Sequence, residues 1–314
     1  MKNLVTKLAL AVATASSSYT GAINADLYGF EIGVGYRQDS ILWKMEDHGA
    51  VAPHVESDLH FKDLEIVVLG ARFKGLLGES FYSRASFDYG WIVDGTLREE
   101  LNIENRHDTT HFDHNGVFTD GRYSKAVVHN RESGNSYVWD FNLAFGVPYQ
   151  FGCEGLQIAP MIGFSYDRQH IKIRNKENLW AHPDRHFSSI ETGDHAHNNC
   201  KSKSTFKTSW WGPWIGFDLS YVSDNCWTFF GEFELHGGRV ERDRNSSIGV
   251  SFFDRYDRTK CFWGTTTRLG TNYVLCDNWY LEGAISFSHW CSTSHRDDLY
   301  WSSGGVRIDA GYLF

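Results

Sequence analysis

The sequence predicts an all-β chain: a transmembrane, antiparallel, up-and-down β-barrel of about ten strands. Three observations lead there. Apolar and polar residues alternate with a period of two along most of the chain, which places them on opposite faces of extended strands. The segments between these stripes alternate short and long without exception, the asymmetry of a barrel with tight turns on one side of a membrane and long loops on the other. Beyond the first residues, nothing approaches the ~18 to 20 uninterrupted apolar residues that a membrane helix needs. Composition agrees: 12 Trp, 15 Tyr, 22 Phe and 30 Gly against only 5 Pro suit many strands joined by turns better than a helical bundle. The formal charge of −9 excludes a basic surface of the kind that binds nucleic acid.

The elements follow in order. Lys2 and Lys7 precede the apolar run 8–13, and Ala22-Ile23-Asn24-Ala25 follows, so residues 1–25 read as a secretory signal peptide with cleavage after Ala25. Residues 26–314 then form one barrel domain, since no Pro-, Ser- or Gly-rich linker divides them. Phe30, Ile32, Val34 and Tyr36 share one face of the first strand, and the pattern slips near 38–40, where a bulge is expected. The stretch 59–73 is the least clear, because both of its faces are largely apolar. Stripes recur at Ala85 to Trp91, Tyr137 to Tyr149, Leu156 to Tyr166, Trp211 to Tyr221, Trp227 to Leu235, 263–275 and 279–287, before a terminal strand at 305–314. Short turns are expected at 75–80, 150–155, 223–226 and 276–278, and long outer loops at 46–57, 94–136, 175–204, 238–258 and 291–303.

The faces carry further expectations. Tyr149, Trp227, Trp279, Tyr312 and Phe314 near short turns, and Tyr89, Trp91, Tyr137, Trp139 and Tyr166 near long loops, form two interfacial girdles. The opposite face sends Glu31, Arg84, Asp88, Asp140, Asp167, Glu232, Glu234, Arg268, Glu282, Arg307 and Asp309 into the lumen, where such charges must neutralise one another. About ten strands leave little open bore. Trp210 and Trp214 narrow it further, which argues against a general diffusion porin.

The terminal strand resembles the closing strand of bacterial outer-membrane barrels. The resemblance makes Ile308, Ala310, Tyr312 and Phe314 part of the signal read by the barrel-assembly machinery, and implies an exported protein of the outer membrane in contact with its lipid and lipopolysaccharide. The strand order, and above all residues 206–217 and 233–238, resembles the omptins, outer-membrane aspartyl-type proteases of Gram-negative bacteria. Omptins place an Asp-x-Asp-Trp element after the third strand opposite an Asp-His pair from the fourth outer loop. Here Asp88-Tyr89-Gly90-Trp91 keeps the first Asp and the Trp, but Gly90 replaces the second Asp. The fourth loop reads Glu241-Arg242-Asp243-Arg244-Asn245-Ser246-Ser247, with no His to act as general base near neutral pH. Asp88 is thus expected to be vestigial, and His236 to be a hydrogen-bonding lumen residue. In size and layout the chain resembles the Protochlamydia-type outer membrane proteins, a catalytically incomplete relative of the omptins.

Two residue sets remain. His107, His111, Asp113, His114 and His129 fall in the second long loop, and His182, His186, His195 and His197 in the third, at spacings that fit no compact metal motif, so neither metal nor cofactor is assigned. Of the six cysteines, Cys261 and Cys291 lie equidistant from Cys276, and a hairpin folded about that residue would place them opposite each other for a disulfide. Cys153, Cys226 and Cys276 fall in turns and Cys200 in an outer loop; the turn cysteines either pair with one another or bond to neighbouring envelope proteins. The expected function is that of a non-catalytic surface protein with an envelope-structural, adhesive or host-contact role, its partners being host-surface or envelope proteins. An omptin-type protease with a divergent site and a narrow pore are the alternatives.

Overall fold

A computed structural model describes residues 29–47, 54–77, 80–104, 124–132, 135–150, 155–177, 203–223, 226–245, 258–276, 278–293 and 297–314. The expected signal peptide lies outside them. The described chain is one antiparallel sheet of twelve strand segments. These are β1 (Gly29–Asp47), β2 (His54–Leu77), β3 (Phe81–Glu104), β4 (Ser124–Glu132), β5 (Tyr137–Gly146), β6 (Tyr149–Gln150), β7 (Leu156–Glu177), β8 (Lys203–Val222), β9 (Trp227–Asn245), β10 (Arg258–Cys276), β11 (Trp279–Ser292) and β12 (Asp297–Leu313). Segments β4 and β5 run end to end between β3 and β7, and the two-residue β6 continues them along β7, so the wall has ten staves. Pairing of β1 with both β2 and β12 closes the barrel, from Gly29↔Leu313 to Met45↔Asp297. Closure leaves no sheet edge to satisfy in lipid.

The staves are longer than a membrane requires. A bilayer needs ~9 to 11 tilted strand residues, whereas β2 and β3 have 24 each. The outward apolar residues mark where the bilayer lies: Phe30 to Tyr36 on β1, Val67 and Leu69 on β2, Ile215 to Tyr221 on β8, and Val306 and Ile308 on β12 are all exposed. Girdle rings border this belt. Trp139 stacks on Tyr166 at 4.7 Å and Tyr89 on Tyr137 at 5.9 Å near the outer ends, while Trp279 meets Tyr312 edge-on at 5.0 Å near the short turns.

Above the belt the wall continues into water and its polarity inverts. On β1 the inward residues change from Glu31 and Arg37 to Ile41, Trp43 and Met45, while the outward ones change from Phe30 and Ile32 to Gln38, Ser40 and Lys44. The phase of β1 does not slip, since its pairing with β12 is continuous through these residues. The expected bulge lies across the ladder instead, where Asp39↔Leu64 is followed by Ile41↔Phe61 and Asp63 adopts φ 52°. The reading of 94–136 as loop is likewise corrected, because β3 extends to Glu104 and β4 occupies Ser124–Glu132. Strand also covers much of 238–258 and 291–303. Where their side chains are described, these segments turn apolar residues such as Leu97, Val240, Leu299 and Trp301 inward, and their polar outward residues give a loop-like composition.

Candidate functional site

The lumen has two storeys. Within the membrane-spanning storey, inward charges form two ion-pair networks, one around Arg84, Arg268 and Arg307 and a smaller one around Arg37. Arg84 sits at the centre of the first, 2.9 Å from Asp218 and 2.7 Å from Glu232, and also pairs with Glu234. Arg268 lies 3.1 Å from Glu232 and pairs with Glu282. Lys74 lies 3.1 Å from Glu232. Arg37 bridges Asp39 at 3.0 Å and Asp140. Every lumen residue expected from the alternation is indeed buried or half-buried. Arg37, Asp39, Arg72, Lys74 and Asp218 escaped that reading, although they continue the same inward parity on their strands.

The upper storey is an apolar plug. Ile41, Trp43, Leu59, Phe61, Leu64 and Ile66 meet Phe206, Trp210, Phe262, Trp290, Leu299 and Trp301 in one buried cluster. Its rings interlock: Trp290 stands edge-on to Trp301 at 4.8 Å and stacks on Phe262 at 5.1 Å, and Phe61 contacts Phe206 at 4.9 Å. Such pairs add ~0.5 to 1.5 kcal/mol each beyond the area they bury. Three of the plug's indole N–H groups are anchored, Trp43 donating to Asp297 at 2.6 Å, Trp301 to Asp39 at 3.1 Å and Trp290 to Thr266 at 3.3 Å, whereas that of Trp210 has no acceptor. Asp39 therefore joins the two storeys, accepting from the plug above and pairing with Arg37 below. As expected, Trp210 and Trp214 both fill the bore; Trp214 lies lower, donating to Asn142 at 3.2 Å and covered by the Arg84 guanidinium.

The omptin-like positions take their place in this frame. Asp88 is clamped by Arg307, which also donates to Asp309 at 2.6 Å. Gly90, which stands where the resemblance calls for a second Asp, faces the plug: a Cβ there would lie 2.6 Å from Ile66 Cγ2 and 2.7 Å from Val138 Cγ2. His236 is a lumen residue as expected, with Nδ1 3.1 Å from Ser165 Oγ and Nε2 2.9 Å from Glu234 Oε2. Of the fourth-loop residues, Arg242 points inward to pair with Asp297, whereas Asp243 points outward to Lys207, 3.3 Å away.

The disulfide between Cys261 and Cys291 is not formed. Both cysteines are free thiols, as is Cys226. They share the outward face, but the ladder pairs Cys291 with Trp263 and Cys276 with Trp279. The hairpin's pairing is thus displaced by two residues from one folded symmetrically about Cys276, which leaves Cys261 diagonal to Cys291. Cys153 and Cys200 lie outside the described residues, as do His107, His111, Asp113, His114, His182, His186, His195 and His197. His129 falls on β4, its backbone opposite Arg98 and Glu177. Ile308 and Phe314 are exposed on the lipid-facing side with Ala310, and Tyr312 packs edge-on to Phe314 at 5.2 Å.

The sequence matches the Protochlamydia outer membrane protein family over residues 31–311. The chain belongs to that family. No curated protein matches it. Among solved structures, the outer membrane protease OmpT from Escherichia coli is similar over 95% of this chain and 100% of its own, with a TM-score of 0.58 and 12% identity. The translocator domain of the autotransporter NalP from Neisseria meningitidis (100% and 96% covered, TM-score 0.35, 12% identity) is more distant. So is the attachment invasion locus protein Ail of Yersinia pestis, at 92% and 99% covered, TM-score 0.30 and 10% identity. The first of these establishes an omptin-like barrel topology for this Protochlamydia-family protein, and its place is the outer membrane. Contact with membrane lipid, lipopolysaccharide and the barrel-assembly machinery follows from that location.

Proposed function

We propose that this protein is a non-catalytic mount for surface loops, serving an envelope-structural, adhesive or host-contact role. The observation that carries this reading is the apolar plug. A stave that rises out of the membrane and packs tryptophans inside builds a rigid collar under the outer loops, as a soluble barrel does with its core. A pore would keep that volume wet. A peptidase would need carboxylates and a base reachable by substrate and water, and the space around Gly90 is filled by Ile66 and Val138 while Asp88 is paired to Arg307.

The protease among its structural neighbours supplies the competing reading, and one preparation tests both. Full-length protein refolded with lipopolysaccharide is expected to cleave no peptide containing paired basic residues, and to give no steady conductance in planar bilayers. Cleavage that disappears in an Asp88→Ala variant overturns the non-catalytic reading; ohmic conductance overturns the mount.

A further inference from the structure

Glu31, Glu282 and Asp309 each bring a carboxylate oxygen to within 4.8 Å of the others, near the periplasmic mouth of the lumen. They come from three neighbouring strands, with Gly33↔Asp309 and Glu282↔Asp309 as register partners. All three side chains are buried, at 2%, 1% and 1% exposed respectively. Each is held by one oxygen only: Tyr280 Oη donates to Glu31 Oε1 at 2.8 Å, Arg307 Nε to Asp309 Oδ1 at 2.6 Å, and Arg268 to Glu282 Oε1. The second oxygens, Glu31 Oε2, Glu282 Oε2 and Asp309 Oδ2, accept no hydrogen bond. The nearest bases stand off, Lys74 Nζ at 3.8 Å from Glu282 Oε2 and Arg268 Nη2 at 3.9 Å from Asp309 Oδ2.

Orphaned oxygens in a buried cluster of like charge are costly unless a positive species joins them. The lattice around them supplies it only in part: Arg307 and Arg268 hold the first oxygens of Asp309 and Glu282, and the second oxygens of those two carboxylates are left at 3.8 to 3.9 Å from the nearest cation. Among the described lumen residues of the membrane-spanning storey, carboxylates outnumber guanidinium and ammonium groups ten to six. We infer that Glu31, Glu282 and Asp309 form a binding site for a hard divalent cation of the calcium and magnesium class. Oxygen-only donors select such ions over zinc or copper. The donors on the first oxygens pre-orient the second ones, as the outer partners of metal ligands do. Tyr280 closes the site on its turn side, in a space that exists because position 311 is glycine: a Cβ on Gly311 would lie 2.1 Å from the Tyr280 ring.

The test uses full-length barrel refolded in detergent without lipopolysaccharide, stripped with EDTA, and titrated with CaCl2 or MgCl2 alone. Unfolding is followed by the temperature at which the compact gel form is lost. At hundredfold excess over the dissociation constant the wild type should gain roughly 5 °C. Glu31→Gln and Asp309→Asn should both lose that gain. In EDTA Glu31→Gln should unfold at or above the wild-type temperature, because the Glu31 carboxylate is held by the neutral Tyr280 hydroxyl, whereas Asp309→Asn, which also weakens the pair with Arg307, should unfold below it. Terbium luminescence of the wild type, sensitised by Tyr280 and displaced by calcium, gives a readout that needs no variant to fold. A wild type indifferent to both ions and dark with terbium overturns the site. So does a full response retained in both variants, which would assign the ion to the outer loops.

Discussion

Asp88 sits in a charged lumen, and its chemistry is set by Arg307, which holds it together with Asp309. Removing that guanidinium would leave two buried carboxylates without their main partner. Breaking a buried pair from one side costs ~3 to 5 kcal/mol, more than the pair itself contributes. Arg307→Ala should therefore lower the temperature at which the compact gel form is lost, and adding Asp88→Asn should restore part of it. A double variant no more stable than the single would show that the two residues do not interact. Gly90→Asp is expected to destabilise as well, and to confer no peptidase activity, because its side chain would have to displace Ile66 or Val138. The cysteines follow the same dependence on surroundings. Cys261 is exposed and Cys291 buried, so under non-reducing conditions both should be recovered as thiols, with Cys261 alkylated by maleimide first. A mapped peptide joining the two would show that the β10–β11 register is two residues from where the ladder places it. That register was not legible in the sequence, since a hairpin's axis depends on which residues its turn consumes, and the bulge between Val274 and Cys276 leaves no mark in the alternation.

At the scale of the element, β2 explains why one stretch resisted reading. Leu59 and Phe61 point inward, the bulge at Asp63 shifts the parity, and Leu64, Ile66 and Val68 then point inward while Val67 and Leu69 already face lipid. Plug and belt overlap along these residues, so both faces are apolar. The stripes of β1, β5, β8 and β12 were legible because, in the belt, each strand has one oily and one polar face. Their continuations above the belt were not, because a soluble wall reverses which parity is apolar. The inward apolar parity was present all along, in Ile41, Trp43 and Met45. Asp63 is the point to probe. In the left-handed region a non-glycine residue costs ~1 to 2 kcal/mol, least for Asp and Asn. Asp63→Gly should leave stability within a few tenths of a kcal/mol or raise it, and Asp63→Val should lower it by about 1 to 2 kcal/mol. Deleting Asp63 would remove the extra residue and leave Leu59, Phe61, Leu64 and Ile66 in simple alternation on the inward face, so the plug should survive the deletion. Equal denaturation midpoints for the Gly and Val variants would mean that the bulge is not where the strain lies.

Across the whole molecule the two storeys rest on different physics. The lower wall is held by lipid outside and by ion pairs and hydrogen bonds inside, where unpaired backbone groups have no water to turn to. The upper wall is held as any soluble barrel is, by burying side chains such as Trp43, Phe206, Trp210 and Trp290 away from water, at ~1.5 to 3 kcal/mol for each large apolar side chain. Urea weakens burial by solvating apolar and peptide groups, and it acts where water reaches. The upper storey should thus open at lower urea than the lower one, although the same staves run through both. Backbone amide exchange in detergent at rising urea would show this directly. Residues 58–66 and 205–211 should lose protection first, with 67–74 and 212–221 holding on while the protein still migrates as its compact form. Asp39 bounds the two regions, because its pairing with Arg37 lies below the plug and should outlast the hydrogen bond it accepts from Trp301. Simultaneous loss of protection along each stave would mean that the plug and the ion-pair lattice unfold as one unit, and that the collar draws its stability from the membrane wall beneath it.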